Sequence, residues 1–450
     1  MRELLQDAAA RAARYVDGLP TRSVAPSAAA VRALAGFDIA LPREGRAPQE
    51  VLDELDTLGS PATFASAGPR YFGFVTGGVL PGALAANWLA GAWDQNSALH
   101  NAAPATATLE HVALRWLLDL LGLPGDAAGA FVTGGTMANF CALAAARHAV
   151  LARAGWNVEA DGLFGAPPVT VVIGEEAHPT LVKALGLLGL GRRRVLTVPT
   201  DAQGRMRADT LPLLRGPAIV CAQAGNVNTG AFDPVAAIVD RTAPSAAWVH
   251  VDGAFGLWAA ASPALRAQCE GIERADSWAT DAHKWLNVPY DSGLAFVRDA
   301  DALRAAMSVA ADYLPTHGGS RNPCDHTPEL SRRARGVEVW AALRSLGRDG
   351  VADLVDRCCA HARRFADGLR AAGHAVLNDV VLNQVLVSFG DAARTQRVIA
   401  ALQSEGTCWC GPTQWRGQAA MRISVSSWAT TPADVERSLE AMLRIARQVS

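Results

Sequence analysis

Lysine is nearly missing from this chain: among 41 basic side chains there are only two, Lys183 and Lys284. An excess of either charge is missing too, since 41 basic residues against 43 acidic ones leave a net charge of −2. That balance gives no field for drawing in nucleic acid or anionic lipid, and the one basic run, Arg192 to Arg194, has no interleaved aromatics. The eight cysteines form no CxxC pair and no zinc pattern, so they read as reduced thiols of a cytoplasmic protein. The first residues, MRELLQDAAARAARYVD, form a charged amphipathic helix with no apolar secretory core. The stretch between Arg70 and Asp94 lacks any charge, yet glycines, Pro81, Thr76 and Asn87 interrupt it, which suits a buried segment better than a membrane span. What remains is a packed chain, 50% hydrophobic and 19% charged, too long at 450 residues for a single small domain.

The pattern along the chain changes three times. Residues 1–68 read as helices broken at Pro20, Pro26, Pro42, Pro48 and Pro61, an arm that packs elsewhere. Over residues 69–311 seven short apolar runs (AFVT, VTVVIG, RVLTV, AIVCA, AWVHVDGA, SWAT and GLAFV) alternate with helical stretches. Such runs indicate an α/β domain on a mostly parallel sheet covered on both faces. Residues 312–330 are rich in Gly, Pro and polar side chains without periodicity and read as a mobile loop that carries function. Residues 331–450 read as two amphipathic helices, strands near Val381 to Phe389 and Ala420 to Ser426, and a closing helix from Pro432, a smaller α+β domain.

A chain that uses arginine nearly everywhere keeps lysine where a guanidinium cannot serve. Condensation with an aldehyde is such a place, because it needs a primary amine that can lose its proton. Lys284, in SWATDAHKWLNVPYDSG just after a strand and beside His283, suits that chemistry; Lys183, on the helix of HPTLVKALGLLGLG, suits a solvated face. Asp252 ends the apolar run AWVHVDGAFG, where side chains of open α/β sheets enter the ligand crevice. A carboxylate there could hold a pyridine nitrogen protonated, or simply cap the turn before Gly253. In TGGTMANFCALAAARHAV glycines open a long helix whose first N–H groups, with the Thr136 hydroxyl, suit a phosphate, although Gly-Gly can also just make the turn. His178, at a helix start after VTVVIGEEA, could lie over a planar ring or be an ordinary helix-start histidine.

TGGTMAN, EEAH, HVDGAFG and DAHKW occur in that order and at separations that resemble the group II pyridoxal-phosphate-dependent amino-acid decarboxylases, of fold type I. The resemblance extends from PRYFGFVTGG through HNAAPATATLE and SRRARGVEVWAALRSLG to MRISVSSWATT. It implies a large domain with a mostly parallel seven-stranded sheet, a small C-terminal α+β domain and a helical N-terminal arm. It further implies pyridoxal 5′-phosphate carried by Lys284, with Asp252 on the ring nitrogen, His178 stacked on the ring and Ala254 against its face. Gly135, Thr136 and Met137 would hold the phosphate with His283 beside them, and Asn228 would contact the cofactor. Phe72, Trp93, Asn96 and His100 would form the substrate wall, the polar pair favouring a small or polar side chain. The arm would wrap a second copy in a homodimer with shared active sites.

One departure stands out. The family's mobile loop carries a tyrosine that protonates Cα, whereas GGSRNPCDHTPELSRR has none; Tyr313 stands upstream and His326 lies inside. His326 is therefore the expected proton donor, on the strength of an imidazole pKa near neutrality. The expected reaction is α-decarboxylation of an L-amino acid to an amine and carbon dioxide. Other outcomes on the same scaffold, such as oxidative deamination, transamination or C–C lysis, and a cofactor-free binding protein are the alternatives.

Overall fold

A computed structural model of the chain describes residues 1–309 and 321–449. The chain divides into two compact units. The larger comprises Val79–Ala362 with Asn378–Gln384; the smaller comprises Met1–Gly78, Arg363–Leu377 and Val385–Ser450.

The larger unit is built on a seven-stranded sheet: β1 (Ala128–Val132), β2 (Thr170–Gly174), β3 (Leu196–Val198), β4 (Ala218–Gln223), β5 (Trp248–Asp252), β6 (Ser277–Asp281) and β7 (Gly293–Val297). Their order is β1-β7-β6-β5-β4-β2-β3. Only β7 runs against its neighbours, β1 and β6; the other pairs are parallel. All seven apolar runs are thus strands. Every residue of β4, β5, β6 and β7 is buried, because helices cover both faces. The helix Gly135–Ala152 is buried along Cys141 to Ala146, where alanines let it approach the sheet closely. The charge-free stretch yields the helix Pro81–Trp93 of 13 residues, and among the described residues no helix is long and apolar enough to cross a membrane. Because β7 is the lone reversed strand, the carboxyl ends of the other six share one edge of the sheet.

The smaller unit holds a sheet ordered β10-β11-β9-β8, from β8 (Ala375–Val376), β9 (Gln384–Ser388), β10 (Gly411–Trp415) and β11 (Gln418–Ser424). Arg416 and Gly417, at φ 49° and 79°, make the two-residue turn that pairs β10 with β11. The closing helix is Pro432–Gln448, with a capping box between Thr431 and Asp434. Arg70 ties the N-terminal segment into this unit. Its buried guanidinium donates to Thr407 O at 2.7 Å and Pro20 O at 2.6 Å and lies 3.3 Å from Asp434.

The two helices expected after residue 330 are present: the span Gly336–Ala371 is two helical stretches separated by a kink at Gly347, where φ is 64°. Two expectations differ from these findings. The unit boundaries fall at 78/79 and 362/363 rather than at 68/69 and 330/331, since the first of those stretches packs with the larger unit, Gly336 lying against Glu110. Of the expected loop 312–330, residues 312–320, Tyr313 included, lie outside the described residues; Pro323–His326 form a short 3-10 turn.

Candidate functional site

The shared carboxyl edge gathers most of the sequence-derived candidates. Asp252 is the last residue of β5, and Lys284 follows the end of β6 by three residues. The two strands are adjacent and parallel, with Asp252 opposite Ala279. Gly253 N donates to Ala279 O at 2.8 Å and Asp281 N to Ala254 O at 2.9 Å, so the two turns are stitched together. Lys284 Nζ lies 3.0 Å from Asp281 Oδ2, with the lysine side chain 20% exposed and the carboxylate buried. Asp281 Oδ1 is buried with no hydrogen-bond partner among the described residues.

Beside Asp281 the helix Gly135–Ala152 begins without any side-chain cap. A Cβ on Gly135 would stand 3.0 Å from Asp281 Oδ2, and one on Gly134 would stand 3.2 Å from His283 Cε1. A Cβ on Gly293 would meet Gly134 Cα at 2.4 Å, so β7 can approach this turn only as glycine. Thr136 and Met137, in the first helical turn, are partly exposed. His283 accepts from Ser292 N at Nδ1 (3.1 Å), stacks on Tyr290 at 4.3 Å, and has its pKa lowered by burial.

Asp252 is a buried residue with both oxygens hydrogen-bonded. Oδ2 accepts from Asn139 Nδ2 at 3.0 Å and Oδ1 from Ala254 N at 3.2 Å. Asn139 belongs to the helix that opens at Gly135, so one element serves both the glycine turn and the carboxylate. His178 caps the helix Pro179–Leu187; its Nδ1 accepts from Thr180 N at 3.3 Å and lies 2.7 Å from Thr180 Oγ1, which leaves the neutral ring's proton on Nε2. Asn228 is buried in a turn where its N–H donates to Asn226 Oδ1 at 2.8 Å.

The expected substrate wall is only partly accessible. Trp93 is 42% exposed, Asn96 Oδ1 accepts from Arg332 N at 3.0 Å, and His100 N donates to Asn322 Oδ1 at 3.1 Å. Phe72 is a correction: its ring is 1% exposed and packs edge-on against Phe365 in the smaller unit's core, whereas Phe74 is 63% exposed. His326 is a second correction. Burial first, then the charge of Arg321, pushes its pKa down to about 3, and Nδ1 lies 3.2 Å from Asn322 O. A neutral imidazole that donates Nδ1–H to a carbonyl has its one proton committed there and only an acceptor left at Nε2. Asp281 and Asn139 are the residues that sequence reasoning missed. The spacing DAHK, an acid three residues before the lysine, was the available signal for Asp281; nothing local marked Asn139.

The model of the pyridoxal-dependent decarboxylase conserved domain matches residues 32–390. The chain belongs to the pyridoxal-dependent decarboxylase family. It is 29% identical over 423 residues to tryptophan decarboxylase 1 of Oryza sativa subsp. japonica, covering 85% of this chain and 81% of that one. It is 30% identical over 388 residues to L-2,4-diaminobutyrate decarboxylase of Rhizobium meliloti (strain 1021), covering 82% and 76%. The crystal structure of Oryza sativa TDC with PLP and tryptamine superposes with a TM-score of 0.91 at 25% identity, over 99% of this chain and 97% of that one. The chain is accordingly a carboxy-lyase that uses pyridoxal 5′-phosphate to decarboxylate an amino acid.

The residues at the sheet edge fit that cofactor. An accessible primary amine, a buried carboxylate for a ring nitrogen, and an uncapped helix start hemmed by glycines are the three donor sets it requires. Asp281 Oδ1, buried with no hydrogen bond among the described residues and with His283 Nε2 3.7 Å away, is a polar atom that a bound group or water would satisfy.

Proposed function

We propose that decarboxylation of an L-amino acid takes place at the carboxyl edge of the seven-stranded sheet, with Lys284 holding the cofactor aldehyde and Asp252 facing its ring nitrogen. The observation that carries this is the pairing of β5 with β6, which delivers the lysine and the carboxylate from adjacent turns of one edge. Bound there, pyridoxal 5′-phosphate supplies an electron-accepting ring for the electrons of the breaking Cα–carboxylate bond.

The chain's own residues do the rest. Gly135, Thr136 and Met137 offer backbone N–H groups to the phosphate at the positive end of their helix, with His283 alongside. His178, its Nδ1 engaged by Thr180, presents a planar ring and an Nε2–H; Ala254 is small enough for a ring face to rest on, and Asn228 stands at the neighbouring turn. Asp281 Oδ2 would give the Lys284 amine a partner whenever that amine is not joined to the cofactor, and Lys284 Nζ would be the group placed to supply the proton that replaces the carboxylate. Trp93, Asn96 and His100 line the substrate side, and the last two favour a small or polar side chain over a plain aromatic one.

The reading includes a cytoplasmic homodimer with shared active sites. Within one chain the helices Arg2–Gly18, Ala28–Ala33 and Pro48–Glu54 bury no residue, while Leu5, Val31, Ile39, Leu41, Val51 and Leu55 are exposed, an apolar surface that a second copy would cover. All eight cysteines are buried and outside any disulfide, as suits a reducing compartment. The test is a panel of L-amino acids given to the cofactor-loaded protein, with carbon dioxide and organic products quantified. An amine in equal amount to the carbon dioxide supports the reading, whereas an aldehyde or keto acid as main product overturns it.

A further inference from the structure

Five buried polar side chains form a continuous row that begins at Asp252 and runs back through the sheet. Asp252 Oδ2 lies 3.0 Å from Asn139 Nδ2, Asn139 Oδ1 lies 2.9 Å from His250 Nε2, His250 Nδ1 lies 2.9 Å from Ser277 Oγ, and Ser277 Oγ accepts from Trp248 Nε1 at 2.8 Å. Asn139, His250 and Ser277 are fully buried. They come from three elements: Asn139 from the helix opening at Gly135, Trp248 and His250 from β5, and Ser277 from β6 opposite His250.

The inventory of donors gives the row a direction. Trp248 Nε1 can only donate, and an ionised carboxylate can only accept. With the amide of Asn139 facing Asp252, its oxygen faces His250 and needs a donor there, so Nε2 carries the ring proton. Nδ1 is then an acceptor for the Ser277 hydroxyl, whose oxygen takes the indole N–H. Each group donates toward Asp252 and accepts from behind, an arrangement in which successive hydrogen bonds polarise one another. A neutral His250 is required, and burial, outweighing the opposing effect of Asp252, lowers its pKa to about 4.

We infer that Asn139 and His250 are positioning residues for the decarboxylase. Asn139 fixes the rotamer of Asp252 and commits Oδ2 to accepting, and His250 fixes the amide of Asn139 so that it cannot turn its oxygen to the carboxylate. Oδ1, which among the described residues accepts only from Ala254 N, is the oxygen left for the ring N–H. This rests on the reading that Asp252 faces the ring nitrogen. The row reaches no substrate; its effect is on how firmly the ring nitrogen keeps its proton and how tightly the cofactor is held.

The test loads parent, Asn139→Leu, His250→Phe, His250→Gln and Asp252→Asn proteins with pyridoxal 5′-phosphate labelled with 15N in the ring. It reads the nitrogen chemical shift and the cofactor dissociation constant, with circular dichroism reporting folding. Loss of a hydrogen bond to a charged group predicts about a tenfold or greater rise in the dissociation constant for Asn139→Leu and His250→Phe, with the shift moving toward unprotonated pyridine. His250→Gln, which can offer an amide N–H to Asn139, should lie close to the parent. Parental values in folded Asn139→Leu and His250→Phe, alongside altered values in Asp252→Asn, overturn the inference alone. Parental values in Asp252→Asn overturn the ring-nitrogen reading and the inference with it. If Asn139→Leu does not fold, the contrast between His250→Phe and His250→Gln decides by the same criterion.

Discussion

Replacing Glu110 by Gln removes an anion held between two arginines. Glu110 is fully buried, with Oε2 2.7 Å from Arg332 Nη1 and Oε1 2.9 Å from Arg321 Nη1. Burial pushes its pKa up, but Arg332 and Arg321 together outweigh that and leave it lowered. In the variant Arg332, whose side chain has no exposure, keeps its bonds to Ser97 O and Phe131 O and loses its counter-ion. An uncompensated buried charge costs about 3–5 kcal/mol of stability, whatever the net worth of the intact group. Urea unfolding of the parent and Glu110→Gln proteins should differ by that much. Glu436→Gln, which breaks the exposed pair with Arg364, should leave the unfolding free energy unchanged within error. The same lowered pKa means that the Glu110 contribution is complete above the ordinary carboxylate value of 4.5 and is lost as pH falls through the lower folded value. A Glu110→Gln protein within about 1 kcal/mol of the parent at neutral pH would refute the reasoning, since that range belongs to surface pairs.

Three further outcomes are expected. Borohydride reduction of the cofactor-loaded protein should leave a stable adduct on the Lys284 peptide, absent in Lys284→Ala and retained in Lys183→Ala; an adduct on Lys183 would remove the active-site assignment. Buried His250 and His326 have folded pKa values lowered from 6.5 to about 4 and about 3, so the unfolded chain takes up protons first and stability falls as pH drops below about 6.5. His250 alone accounts for about 3 kcal/mol of that loss by pH 4, and His326→Gln should flatten the acid limb measured by urea unfolding at stepped pH. Gly293→Ala drives a Cβ into the Gly134 backbone and should weaken cofactor affinity about tenfold or more with Lys284 unchanged, as equilibrium dialysis would read.

The parts of the fold legible in the sequence were those with a single local cause. Each of the seven large-domain strands is a short run buried on both faces, and such runs stay apolar whatever packs on them. β10 was illegible because Pro412 and alternate exposure interrupt it, and its partner is fixed by the turn at Arg416 and Gly417, not by its own composition. The two helices within Gly336–Ala371 were legible from such a local cause, since the kink between them falls on a glycine, Gly347, at positive φ. For the site, the motifs located the turns around Lys284 and Asp252. They did not reveal Asn139, because a polar residue in a helix reads as surface until a strand is laid beneath it. His326 failed for the converse reason: a neutral-range pKa belongs to the solvated imidazole, and burial among arginines is invisible in the local sequence.

Arg70 and Arg332 each spread their N–H groups over two or more backbone carbonyls as well as a carboxylate, and Arg321 over one carbonyl and a carboxylate, which a planar five-donor fork does and a point-like ammonium does not. Arginine therefore serves wherever a fixed cation must be buried and saturated, and there it need never lose a proton. The proposed role of Lys284 asks for the opposite: an amine that faces a carboxylate and can give up its proton and form a covalent bond. Lys183 is exposed on its helix and meets none of these conditions. A Lys284→Arg variant keeps the positive charge beside Asp281 yet cannot condense with an aldehyde, so it separates charge from nucleophile: folding should survive and decarboxylation should not.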